Sequence, residues 1–217
     1  MATLLHIDAS ARTTRSLSRR LSRLFIDEWL GHRPDDRVVR RDLGLSPPPH
    51  LSEAWIAAAF TPFAKRTSAM QHILALSDAL VAEVKAAAII VMGVPMYNYG
   101  LPSSLKAWID HVARVGETFT FDLARGDFPI EQVLSGKRLV ILSARGEFGF
   151  QAGGVRETWN HLDPHLAVCA HYFGVARRDI HLIDIEYQEF GDERFARSLS
   201  NAEHRARALA RELAAAH

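Results

Sequence analysis

Apolar residues follow two rhythms along this chain. The first is the short unbroken run, clearest at Ala86–Val91, which reads as a strand buried on both faces. Thr3–Ile7, Leu139–Leu142 and Ile180–Ile185 repeat it, and Val38-Val39, flanked by arginines, fits a strand near a sheet edge. The second is the three-and-four spacing of a helix with one buried side. It appears in Leu17, Leu21, Leu24, Phe25 and Trp29, with Ser16 or Ser18 as the cap. It returns over Leu51–Phe63, over Thr67–Lys85, in Leu105, Trp108, Ile109 and Val112 after a proline at the first helical position (Pro102), and from Asp192 onward. Asp163-Pro164 reads as a cap followed by proline, opening a helix through Phe173. Five strands alternating with helices predict an α/β fold with a doubly wound parallel sheet.

The punctuation supports one domain over residues 1–217. Ser46-Pro47-Pro48-Pro49 opens a helical excursion over about 46–67, with no independent core after it. The alternation around Thr118-Phe119-Thr120-Phe121 marks a hairpin-like insertion over about 117–134. With 48% hydrophobic and 24% charged residues the chain has the composition of a folded globular protein. A net charge of +1 argues against nucleic-acid or membrane-surface binding driven by bulk charge, although Arg12, Arg15, Arg19, Arg20 and Arg23 crowd one early segment. The single Cys169 excludes an intramolecular disulfide and a cysteine metal cluster, and its apolar neighbours suggest an inert thiol. The start lacks a basic leader pattern and no apolar run spans a bilayer, so a soluble cytoplasmic protein is expected.

Candidate chemistry lies in the loops after strands, where an open parallel sheet binds ligands. After the first strand, Ser10, Arg12, Ser16, Leu17 and Ser18 place hydroxyls, cations and free amides ahead of a helix, a setting for an anion. After the third comes Pro95-Met96-Tyr97-Asn98-Tyr99-Gly100, two aromatic rings and an amide in a broken loop. After the fourth comes Ser143-Ala144-Arg145-Gly146. There is no G-x-x-x-x-G-K-[ST] and no G-x-G-x-x-G after the first strand, which disfavours a nucleoside triphosphate or a Rossmann-bound dinucleotide. Metal-ligand clusters are absent, and the eleven histidines are scattered. A hydrolase built on Ser10, Asp163 and His165 lacks its nucleophile elbow, and Asp163 is better explained as a cap. Under strand order 2-1-3-4-5 the three loops stand side by side. A phosphate at one end and a flat ring held by backbone groups at the other describe FMN.

The chain resembles the FMN-dependent NADH azoreductases, which are also NADH:quinone oxidoreductases of the flavodoxin-like class. The resemblance covers nearly the whole length. It rests on Ser10-x-Arg12-x-x-x-Ser16-x-Ser18, on Pro95-Met96-Tyr97-Asn98-Tyr99-x-x-Pro102-x-x-Leu105-Lys106-x-x-x-Asp110, on Arg114-x-Gly116-x-Thr118-Phe119 and on Ser143-x-Arg145-Gly146. It implies a flavodoxin-like three-layer sandwich, with the FMN phosphate held by Ser10 and Ser16–Ser18. Met96–Tyr99 would then lie along the isoalloxazine and Ser143–Gly146 near its pyrimidine edge. The asparagine amide of Asn98 and the backbone of Gly146 would give electrostatic support, with no acid–base residue required. It further implies ping-pong hydride transfer from NADH or NADPH to quinones and azo compounds, and a homodimer with its active sites at the interface. Tyr99, Phe119, Phe121 and Phe150 are the candidate stacking walls. One departure is Glu147, where the family usually carries a second glycine. It bears on substrate range. Alternatives of another class are a flavodoxin-type electron carrier, disfavoured by the balanced charge and the added excursion, and a non-catalytic FMN-binding regulator.

Overall fold

A computed structural model describes all of residues 1–217. Strands β1 (Thr3–Asp8), β2 (Arg37–Asp42), β3 (Ile89–Pro95), β6 (Lys137–Ala144) and β7 (Val175–Ile185) form one sheet in the order β2-β1-β3-β6-β7. Every pairing in it is parallel, so the order 2-1-3-4-5 among the sheet strands is as predicted. Helices α1 (Leu17–His32) and α6 (Glu193–Ala215) cover one face; α3 (Ser68–Ala86), α4 (Ser103–Val112) and α5 (Asp163–Cys169) cover the other.

The central strand shows why its sequence has no polar alternation. Ile90, Met92 and Val94 pack with Leu80, Trp108 and Phe173 beneath α3, α4 and α5. Ile89 and Val91 turn to the opposite face and meet Leu21, Phe25, Ala206 and Ala210 of α1 and α6. All seven residues of β3 are buried, so neither side of this strand has water to face.

The insertions keep off the sheet. Helix α2 (Glu53–Phe60) forms a small satellite core in which Trp55, Ala58 and Ala59 meet Leu74 of α3. Strands β4 (Phe119–Phe121) and β5 (Ile130–Gln132) pair antiparallel as the expected hairpin. Several boundaries differ from the sequence reading. Helix α2 is shorter than Leu51–Phe63 because Ser52 caps it, accepting from the Trp55 N–H at 3.2 Å, and Pro62 follows its end. Pro102 is the N-cap of α4 and not its first helical residue, because its ψ of 139° is still extended. Asp163 is likewise not a cap but the first residue of α5. The capping contacts come from Asn160 Oδ1, which accepts from the N–H groups of Leu162 and Asp163 at 3.2 and 3.1 Å. Strand β7 begins five residues before Ile180, at Val175 directly after Gly174, which adopts a positive φ of 80°. No helix is long and apolar enough to cross a membrane.

Candidate active site

Strand β1 delivers the chain into a loop that ends at the start of α1. The loop is tied down on both sides: Ala9 donates to the Gly93 carbonyl at 3.0 Å, and Leu43 donates to the Asp8 carbonyl at 2.8 Å. The Ser10 carbonyl accepts from Arg19 Nη2 at 2.7 Å, and Arg19 in turn pairs with Asp42 at 2.5 Å. That bond raises the Arg19 pKa and holds the Asp42 carboxyl below its usual range. Gly44 permits the arrangement, since a Cβ there would come within 2.0 Å of the Ser10 oxygen. Ser16 caps α1, its hydroxyl accepting from the Arg19 N–H at 3.3 Å and lying 3.2 Å from the Ser18 hydroxyl. The next two N–H groups, of Leu17 and Ser18, have no partner in the protein. Unpaired amides, three serine hydroxyls and the positive helix end border the same cleft, a setting in which an anion would be held.

The second wall is a tight turn after β3. Tyr97 and Gly100 exchange backbone hydrogen bonds at 3.1 and 3.0 Å, which leaves Asn98 and Tyr99 as central residues with φ of +48° and +66°. A bulky side chain in the left-handed region is strained, and such strain gathers at ligand sites. The Tyr97 hydroxyl reaches the first loop, 3.5 Å from Ser10 Oγ and accepting from the Ala11 N–H at 3.3 Å. The Met96 N–H donates to the Ala144 carbonyl at 2.9 Å, which joins this turn to the loop after β6.

That third loop is fastened from behind. The Arg145 guanidinium is 2% exposed, donates to Asp163 Oδ2 at 2.6 Å and to Ser143 Oγ at 3.3 Å, and lies over the Phe150 ring. Beyond it, Glu186 accepts from the N–H groups of Gly149 and Phe150 at 3.1 and 3.4 Å. Burial pushes its carboxyl up despite these bonds. The segment after β7 packs on the same loop through Gln188 N–H to Arg145 O and Glu189 N–H to Gly146 O. Glu189 sits so close that a Cβ on Gly146 would meet its Cγ at 2.7 Å.

The three loops surround a cleft of about 130 Å³ lined by Ser10, Arg12, Ser16, Leu17 and Ser18 from the first, Pro95, Met96 and Tyr97 from the second, and Ala144 and Gly146 from the third. Asn98 and Tyr99 stand exposed at the turn's tip, outside that lining. Ser143 and Arg145 are buried behind it. Among the candidate stacking rings, Tyr99 faces Trp159 and Phe150, with centroids at 5.4 and 6.3 Å. Phe150 is buried, Phe119 packs on Tyr172, and Phe121 is exposed on the hairpin; none of the three lines the cleft. Arg15, which like Arg12 can add charge for an anion, also lines the cleft, and two lining residues lie outside the expected set, Gln188 and Glu189. The last two follow the fifth sheet strand, and the rule that ligands gather at the carboxyl ends of strands, applied there too, finds them. Glu147 pairs with Arg156 at 2.9 Å, and its carboxylate beside the Tyr99 phenol raises that phenol's pKa. Cys169 is buried, and burial pushes its thiol up.

Residues 2–210 match the family described as having a flavodoxin-like fold. An FMN-dependent NADH:quinone oxidoreductase 2 of Colwellia psychrerythraea is 52% identical over 209 residues, 93% of this chain and 94% of its own length. The chain belongs to the FMN-dependent NADH:quinone oxidoreductases. A second member of that family, from Idiomarina loihiensis, is 49% identical over 98% of this chain and 91% of its own. In fold, the chain is similar to an FMN-dependent NADH-azoreductase of Bacillus anthracis solved in complex with FMN. The TM-score is 0.85 at 19% identity, covering 99% of this chain and all of that one.

Proposed function

We propose that the cleft holds FMN and that the protein uses NADH to reduce quinones and, by the same route, aromatic azo compounds. The observation that carries this is the pair of unpartnered amides at Leu17 and Ser18, set among the hydroxyls of Ser10, Ser16 and Ser18. They suit a phosphate monoester, and Arg12 and Arg15 add charge at the same cleft. The names of the Colwellia and Idiomarina relatives agree, giving FMN as cofactor, NADH as donor and quinone as acceptor.

FMN, when bound, would supply two-electron hydride chemistry between NADH and the acceptor, and a ping-pong order is expected. The chain's own residues bind and orient. Ser10 and Ser16–Ser18 fix the phosphate, and Pro95–Tyr97 with Ala144 form the floor along the flavin. The free N–H of Gly146 would face the ring's polar edge and stabilise added negative charge, whereas Asn98, at the turn's tip, stands outside the lining. Ser143 and Arg145 support that edge from behind. No side chain is asked to move a proton.

A cleft of about 130 Å³ is well below the roughly 300 Å³ of a pocket that encloses a ligand by itself, so a second copy of the chain is expected to complete it. Purification followed by release and identification of any bound flavin tests the cofactor. Steady-state rates with NADH and a benzoquinone, then with an azo dye, test the reaction. Parallel double-reciprocal lines are expected for both acceptors. A folded, colourless protein that takes up no FMN overturns the reading.

A further inference from the structure

A larger cleft, of about 540 Å³, lies behind the first loop, between the N-terminal half of α1 and the exposed edge strand β2. Its floor is the polar side of β1: His6 Nε2 lies 3.0 Å from Ser22 Oγ and 3.4 Å from Asp8 Oδ2, and Ser22 donates to Asp8 at 2.8 Å. Six arginines line it against three aspartates. Four of the six are already engaged: Arg19 by Asp42, Arg20 by Glu203 at 2.5 Å, Arg41 by Glu83, and Arg207 by Glu28 at 3.2 Å. Arg23 on α1 and Arg40 on β2 have no carboxylate within ion-pair distance, and they stand on opposite walls. Of the aspartates, Asp8 and Asp42 are held by those internal partners, which leaves Asp27 as the one unpaired anion. Thr13 and Thr14 add unengaged hydroxyls at the mouth.

This cleft and the flavin cleft meet at Ser16, which lines both. The Ala11–Ser16 loop is the partition, with Arg12 and Arg15 on the flavin side and Thr13 and Thr14 on the other. Two guanidinium groups without a carboxylate partner, one from α1 and one from β2, line the same cleft, and such groups suit a phosphate bidentately or a base by stacking. We propose that the second cleft is a site for a nucleotide monophosphate. It takes either a free adenylate or the adenylate half of a dinucleotide flavin whose first phosphate occupies the loop at Ser16. The proposal rests on the flavin reading only for the tethered form.

The test uses the FMN-loaded protein and the variant Arg23→Glu/Arg40→Glu. Both residues are exposed, so the fold should survive, as circular dichroism would confirm. Calorimetric titration with AMP, and competition of FAD against FMN followed by flavin fluorescence, are compared in the two proteins. AMP or FAD affinity is expected to fall at least about tenfold in the variant, the loss of a charged hydrogen bond or more, while FMN affinity stays within about twofold. AMP binding without FAD uptake assigns the site to free nucleotide; FAD replacing FMN assigns it to the tethered form. Equal loss of FMN and FAD affinity, or no response of AMP and FAD to the double substitution, overturns the proposal. If the wild-type protein takes no FMN, the flavin reading fails, and AMP binding to the colourless protein still decides the second cleft.

Discussion

Ser16 does two jobs with one hydroxyl. It caps α1 by accepting from the Arg19 N–H, and it lines the cleft assigned to a phosphate. Ser18, one turn edge away and fully buried, lines the same cleft without capping anything. The pair therefore separates stability from binding. Ser16→Ala is expected to cost about 1 kcal/mol of unfolding free energy through the lost cap, whereas Ser18→Ala should cost less. Both should weaken FMN retention, and the double variant should release the flavin on gel filtration while remaining folded by circular dichroism. Equal FMN affinity in the double variant and the wild type would remove the phosphate from this helix end. At this scale the sequence was legible, because a serine before an apolar helical repeat announces a cap, and unpaired amides follow from any helix start.

Between elements the reading from sequence was less complete, and Arg145 shows why. An arginine in a Gly-containing loop beside a cleft suggests a ligand contact, but its guanidinium is turned inward to Asp163, whose carboxylate also accepts from Asn160 at 2.7 Å. The bond joins the β6 loop to the start of α5, eighteen residues apart, and no local pattern encodes a pairing of that range. Asp163 looked like a cap because aspartate before proline usually is one; tertiary pairing with a buried cation took the side chain instead. Asp163→Ala should leave that cation uncompensated and cost about 3 kcal/mol by urea unfolding, and Asp163→Asn, which keeps an acceptor but not the charge, should recover only a minor part of it. The same loop is gripped by Glu186, whose pKa burial raises. A carboxyl shifted upward contributes stability that is fully present below its ordinary value and is lost as pH climbs through the folded value. Relative to wild type, Glu186→Gln should therefore gain thermal stability progressively as pH rises through and above the ordinary glutamate range, as the wild-type carboxyl is forced to ionise. A constant offset across that range would show that the carboxyl does not titrate in this window.

The main sheet, its strand order and both covering layers were readable because each rests on a long periodic segment, and the hairpin was readable from its alternation. What periodicity cannot reveal is the use made of a surface that the single chain leaves bare. The β4–β5 ribbon has only two three-residue strands, a size that is marginal in water by itself, and it holds Leu123 and Phe128 in solvent at 74% and 86% exposure. Phe121 and Ile130 extend the patch along both strands. Apolar side chains concentrated on a marginal ribbon suit burial against another protein surface, and a cleft too small to enclose its ligand suits completion from outside. A dimer in which the hairpin meets the second copy meets both requirements. Leu123→Glu/Phe128→Glu is then expected to sediment as a monomer where the wild type sediments as a dimer. Its thermal transition by circular dichroism should show an intact fold, its FMN affinity should drop, and its quinone reduction should fall further than that affinity loss predicts at saturating FMN. A variant that stays dimeric with unchanged kinetics would place the interface elsewhere, and a dimer dissociated without loss of activity would mean that one chain builds the whole site.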